Sequence, residues 1–267
     1  MYFVGIDLAW SKKNGSGITV LKEENNKANF VSGIVLYSDD EIINYINKIV
    51  GKENCLVAID APLVVPNQKG RRIAEELVGK YFRKYNAGCH PSNRERFLQW
   101  SDTIRGETLV QRFERVGFEH NPIIKEKEQS RKIFEVFPHP SMVVLFSLDK
   151  VIPYKAKPKR NFEFRCEAFR KYQNHLKNLQ DLNLPEEIAH KEIDKLNLKS
   201  LKDYEDLLDS IFCAYVAYYV WKTPQKCEIF GNMKEGYILT PVFDSMKIEI
   251  SQEKKQRKLD YGLKSFK

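Results

Sequence analysis

Five carboxylates in this sequence sit where an ionised acid is costly. Asp7 and Asp60 end apolar runs, Glu135 lies between Phe134 and Val136, and Asp206 and Asp209 fall on one largely apolar stretch. Burying a lone carboxylate is expensive, and like charges brought together raise one another's pKa. A hard divalent cation relieves both penalties. Mg²⁺ takes oxygen ligands and leaves positions for water and phosphate. Two such ions about 3.5–4 Å apart hold the attacking and leaving oxygens of a phosphodiester. The chemistry this points to is metal-assisted phosphodiester hydrolysis. Asp7, Asp60, Asp209 and Glu135 are the candidate catalytic acids, and Asp7, Asp60, Asp206 and Asp209 the candidate ligands of Mg²⁺ or Mn²⁺.

Each acid also has a simpler reading. Asp7 can bond to N–H groups of the turn before Ser11, and Asp60 before Ala61-Pro62 can serve a turn. Asp206 lies near a helix start, where the macrodipole favours an acid. Glu135 suits an ion pair with an arginine equally well. Asp209, among apolar neighbours, has the strongest case on the helix.

The elements that must position these acids follow from pattern. "YFVGIDLAW", "ITVLKEE" and "ANFVSGIVLY" read as three strands, with Asn14-Gly15 and "ENNK" as turns. "SDDEIINYINKIV" reads as a helix capped by Ser38, with isoleucines at helical spacing. "CLVAIDAPL" is a fourth strand and "RKIFEVFPHPS" a fifth, closed by prolines. "LKDYEDLLDSIFCAYVAYYVW" is a strong helix that puts Asp206 and Asp209 on one face. "KCEIFG" and "GYILTP" are two short strand-like pieces. A three-strand meander followed by a helix and a parallel strand gives the order 3-2-1-4-5. The expected architecture is an α/β five-stranded mixed sheet in one domain over residues 1–246. Helical insertions fall at about 62–131 and 140–202, and 247–267 form a basic, mobile tail.

The net charge of +8 favours an anionic partner, with nucleic acid, DNA or RNA, first. The first insertion interleaves Lys and Arg with aromatics such as Tyr81, Phe82, Phe97, Trp100 and Phe113. Such rings either stack on bases or form the insertion's own core. Within it, "GCHPSNRERFLQW" offers His90, Asn93, Arg94 and Arg96 as contacts to phosphate or base. His139, between prolines, is a candidate for proton transfer or a structural histidine. The five cysteines are odd in number and without C-x-x-C spacing, which reads as reduced thiols in a cytoplasmic protein. No run approaches the ~20 apolar residues of a membrane span.

"GIDLAWS", "VAIDAPLVVPN", "EVFPHPS" and "DLLDSIFCAYVAY", in that order, resemble the blocks of the DUF429 family, regarded as predicted nucleases of the RNase H-like fold. The resemblance runs from residue 3 to about 241 and implies an RNase H-like sheet with helical insertions. It implies that Asp7 is the first-strand acid and Asp60 the fourth-strand acid. Asp206 and Asp209 are similar to the terminal-helix acids of Holliday-junction resolvases of that fold. Glu135 matches the E-V-x-P block, although a fifth-strand acid departs from the usual RNase H arrangement. The block P-N-x-x-G-x-R points to Arg72 as a binder of substrate phosphate. The expected activity is a metal-dependent nuclease. The alternatives are a nucleotide-binding phosphotransferase or ATPase of the actin-like superfamily, with "DLAWSKKNGSG" as its phosphate hairpin, and a non-catalytic nucleic-acid-binding protein.

Overall fold

Alternation along the strands decides which way the strand-end acids face. The computed structural model describes residues 1–11, 13–99 and 101–253. Strands β1 (Tyr2–Asp7), β2 (Ser16–Glu24) and β3 (Lys27–Leu36) form an antiparallel meander. Asn25 and Asn26, at φ 57° and 59°, make the β2–β3 turn, because Asn tolerates the left-handed region. Helix α1 (Asp39–Val50) starts at a capping box in which Ser38 accepts from the Glu41 N–H and Glu41 accepts from the Ser38 N–H. Strand β4 (Cys55–Asp60) then runs parallel to β1, with Asp60 opposite Asp7.

The first insertion holds α2 (Ile73–Phe82), α3 (Arg94–Leu98), α4 (Arg105–Arg115) and β5 (Glu119–His120). Strand β6 (Arg131–Glu135) pairs parallel with β4. The prolines after it do not simply close the strand. Pro138 opens helix α5 (Pro138–Leu145), where a missing N–H costs nothing. Helix α6 (Phe162–Lys177), strand β7 (Leu182–Asn183) and helix α7 (Glu186–Ala189) make the second insertion. Helix α8 (Leu198–Lys222) follows, and β8 (Cys227–Asn232) and β9 (Gly236–Pro241) form a separate hairpin.

The central sheet has seven strands rather than five, in the order β5-β6-β4-β1-β2-β3-β7, mostly parallel. The additions, β5 and β7, are two-residue edge strands, too short to show a pattern. Residues 244–253 are helical and Ile250 is buried, so the expected mobile tail begins as structure. Residues 254–267 lie outside the described residues, as does Trp100. Among the described residues, no helix is long and apolar enough to cross a membrane.

Two cores cover the sheet. Phe3, Leu56, Ala58 and Phe134 pack toward α8, while Val4, Ile6, Val57, Ile59 and Ile133 pack toward α1 and α4. By period two, Asp7 and Asp60 share the α8 face. Helix α8 comes unusually near that face because glycines leave it room. A Cβ on Gly5 would lie 2.0 Å from the Ser210 carbonyl oxygen, and one on Gly17 1.9 Å from that of Asp206. The buried Thr19 and Ser210 hydroxyls bond at 2.7 Å in the same seam. Gly5→Ala should therefore force α8 off the sheet and cost about 1–3 kcal/mol or more. Urea unfolding checks this, and an unchanged midpoint would contradict the close approach.

Candidate functional site

A cleft of about 1190 Å³ opens above the C-terminal ends of β1, β4 and β6, the edge where open α/β sheets keep their sites. Asp7 and Asp60 lie within it, each half-buried. Among the described residues, no hydrogen bond reaches either carboxylate. The turn reading of Asp7 is not seen, since the Ala9 N–H goes to Ser16 Oγ at 3.1 Å. Burial drives the Asp7 pKa well above the ordinary carboxylate range; Lys155 lowers it, and Asp209, Asp60 and Asp206 push it further up. Asp60 is raised from 3.8 to about 7, chiefly by burial, with Lys155 opposing and Asp209 and Glu135 adding to it.

The sign of the resulting pH effect is fixed. Between the unfolded and folded values, folded Asp60 holds a proton that the unfolded chain has released. Stability therefore falls as pH rises through that interval and levels off above the folded value. Metal-free wild type should lose stability relative to Asp60→Asn between about pH 4 and about pH 7. The difference in melting temperature, measured in chelator, checks this, and a flat difference contradicts it.

Asp209 is brought near this pair but differs from it. It is 0% exposed. Its Oδ1 accepts from Tyr154 at 2.6 Å and Tyr172 at 3.3 Å, and its Oδ2 lies 2.8 Å from Lys155 Nζ. Asp206, one turn earlier, is paired with Lys202. It influences Asp7 only as the weakest of the charges around it.

Glu135 takes the ion-pair alternative. Ile133 faces the α1 core while Phe134 and Val136 face the α8 core, so Glu135 is out of phase with Asp60. Its carboxylate accepts from Arg72 Nη1 at 3.0 Å, Arg72 Nη2 at 2.6 Å and the Leu63 N–H at 2.8 Å. Burial raises its pKa, against the pull of Arg72. The ion pair with Arg72 thereby takes the place of the catalytic role expected for Glu135.

Arg72 is a correction of the same kind. Its side chain is 1% exposed and also donates to Glu75 Oε1 at 2.8 Å and the Val64 carbonyl at 2.9 Å. Although Arg72 lies at the cleft wall, four of its five N–H donors are thus engaged inside the protein.

Much of the first insertion's positive charge is likewise spent inside the protein. Arg94 donates to the Val65 carbonyl and to Glu107, and Arg96 to the Pro91 carbonyl. Asn93 caps α3 by accepting from the Arg96 N–H and donates to the Gly70 carbonyl. Arg105 ties Asp39, Ala9, Ser16 and Tyr37 together, fixing the loop after Asp7. Tyr81, Phe82, Phe97 and Phe113 are buried core. Of the predicted substrate contacts, exposed His90 lines the cleft.

The cleft's cations come mainly from elsewhere. Lys150, Lys155, Lys157 and Arg160 belong to the loop between α5 and α6, joined by Arg71 and Arg83 from the first insertion. The run "YKAKPKR" was the available signal, a basic stretch of the kind that marks anion contact. His139 also lines the cleft, but burial and nearby cations depress its pKa to about 3, so it is neutral at physiological pH. Trp10, 40% exposed, stands at the cleft wall with Arg96 over its ring at 5.3 Å and Phe97 edge-on at 5.1 Å.

Among the described residues, no group of three or more His, Cys, Asp or Glu is arranged to hold a metal ion as the side chains stand. Asp7 and Asp60 nevertheless suit a hard cation: they present oxygen donors without hydrogen bonds, side by side in register. A family model described as a protein of unknown function, DUF429, matches residues 5–234. No curated protein matches the chain.

Proposed function

We propose, for a chain that belongs to the DUF429 family of unknown function, that it is a metal-dependent phosphodiester hydrolase acting on nucleic acid. One observation carries this reading. Two acids without hydrogen-bond partners are aligned on neighbouring parallel strands in a cleft whose walls are rich in lysine and arginine. Anionic residues within a cationic cleft make sense when a cation and a polyanion meet there. The order β3-β2-β1-β4-β6 within the sheet, an antiparallel meander followed by parallel strands, supports an RNase H-like identity.

Asp7 and Asp60 would hold Mg²⁺ or Mn²⁺. When bound, such an ion activates water and offsets charge on the scissile phosphate. The chain's own residues do the rest. Lys150, Lys157, Arg160, Arg71 and Arg83 draw in the backbone and hold it by charge, independent of base sequence. Trp10 offers a ring edge or face to a base beside the site. Neutral His139, its pKa depressed to about 3, is a weak base near pH 7 and offers one N–H donor and one acceptor nitrogen to the cleft. Against the phosphate-hairpin alternative, Arg105 already binds Ala9 and Ser16 inside that loop.

The test is incubation with Mn²⁺ and a panel of single-stranded, duplex and branched DNA and RNA. Metal-dependent cleavage of one of them, stopped by chelator, is expected. Oligonucleotide binding without cleavage of any would favour the non-catalytic reading. ATP binding without nucleic-acid binding would favour the phosphotransferase.

A further inference from the structure

Lys155 occupies the space among the acids, and its surroundings assign it a role. Resting on the hydrolase reading above, we infer that the site takes one divalent cation, held by Asp7 and Asp60, and that Lys155, seated on Asp209, supplies the second positive charge. Three structural facts lead there. First, Asp209 is not a free ligand. It is 0% exposed, and both oxygens are engaged, Oδ1 by the Tyr154 and Tyr172 hydroxyls and Oδ2 by the ammonium at 2.8 Å. Coordinating an ion would require Lys155 to leave.

Second, the lysine is delivered by a segment built to hold it there. Tyr154, its neighbour in sequence, is fully buried and fixes the same carboxylate. The Val151 N–H donates to the Tyr85 carbonyl at 2.8 Å, Arg165 Nε donates to the Tyr154 carbonyl at 3.1 Å, and Arg160 Nη1 donates to the Lys155 carbonyl at 2.9 Å. The backbone before the lysine is thus tied to the body of the protein, and the carbonyl of the lysine itself is held by Arg160 of the same loop. A side chain held in this way is preorganised, which is what an electrostatic catalyst requires.

Third, the charges balance. Asp7, Asp60 and Lys155 line the same cleft and Asp209 lies 2.8 Å from the ammonium, so one ammonium and one divalent ion neutralise the three acids. A second divalent ion would leave the acids overcompensated with Lys155 in place. Lys155 also lines the cleft, and one contact with Asp209 leaves its ammonium with N–H donors to spare for a bound phosphate.

Calorimetric titration with Mn²⁺ tests this on wild type, Asp209→Asn, Lys155→Met and Asp7→Asn, each checked for fold by circular dichroism. Wild type should bind one ion per chain. Asp209→Asn should keep that ion, Lys155→Met should bind it about tenfold more tightly through loss of a nearby positive charge, and Asp7→Asn should lose it. In cleavage assays Lys155→Met should lower kcat about 100-fold with little change in KM, and Lys155→Arg should recover part of the loss. Two ions on wild type, or loss of binding in folded Asp209→Asn, would overturn the inference and leave the hydrolase reading standing. Weaker binding in Lys155→Met would also overturn it. If Asp209→Asn does not fold, the wild-type stoichiometry and Lys155→Met decide. No ion on wild type at all would overturn both.

Discussion

Asp7→Asn is expected to abolish Mn²⁺ binding and, on the proposed hydrolase reading, to lower cleavage by about 10³-fold or more, equivalent to about 4 kcal/mol of transition-state stabilisation. The same substitution should leave the metal-free fold at least as stable as wild type at neutral pH. The two expected effects have opposite signs for one reason. Asp7 is half-buried near Asp60 and Asp209, and loss of solvent holds its pKa well above the usual range. Without a cation its charge is a burden, and an isosteric amide removes it. With a cation the charge becomes a ligand, and the amide is a poor substitute. Calorimetry, a cleavage assay and thermal unfolding in chelator measure the three quantities. A destabilised metal-free variant that still binds Mn²⁺ would show Asp7 to be a structural acid.

Arg72→Ala is expected to cost about 3–5 kcal/mol of stability. The guanidinium joins Glu75, Glu135 and the Val64 carbonyl in a site where all three charged side chains are 1–2% exposed. Truncation leaves two carboxylates buried without their counter-ion, the costly way to break such a network. Urea unfolding measures the loss. Arg71→Ala is the control, because Arg71 is exposed and lines the cleft. It should leave stability unchanged, weaken oligonucleotide binding and reduce its salt slope by about 1. If Arg72→Ala weakened binding alone and left stability intact, Arg72 would be the substrate contact that its motif suggested.

The contrast between neighbouring arginines shows where sequence reasoning stops. Strand periodicity and strand-end position were enough to place Asp7 and Asp60 side by side, because both end strands of period two. The α8 acids were visible as costly charges on an apolar helix. The pattern did not reveal that Asp209 is satisfied by Tyr154 and Tyr172, which lie 55 and 37 residues away in sequence. Glu135 lies one residue out of phase with the face it was expected to join, and a register error of one residue reverses a side chain's direction. Arg72, Arg94 and Arg105 look in sequence like any exposed cation. Only the fold shows their carboxylate and carbonyl partners. Lys155 was invisible for the opposite reason, being one lysine in a basic run of which Lys157 and Arg160 also reach the cleft.

The glycine seam between β1 and α8 also bears on how the chain comes together. Thr19 and Ser210, bonded across that seam, are 191 residues apart. Strand β1 leaves the ribosome long before the helix that covers it. Closing so long a loop is entropically costly, and non-local pairing slows folding. Until α8 arrives, Phe3, Leu56 and Ala58 present an apolar sheet face to water. The nascent protein is therefore most exposed to aggregation along the surface that later carries its acids. Release of α8 from the ribosome is also the earliest moment at which Asp209 can meet the strand-end pair.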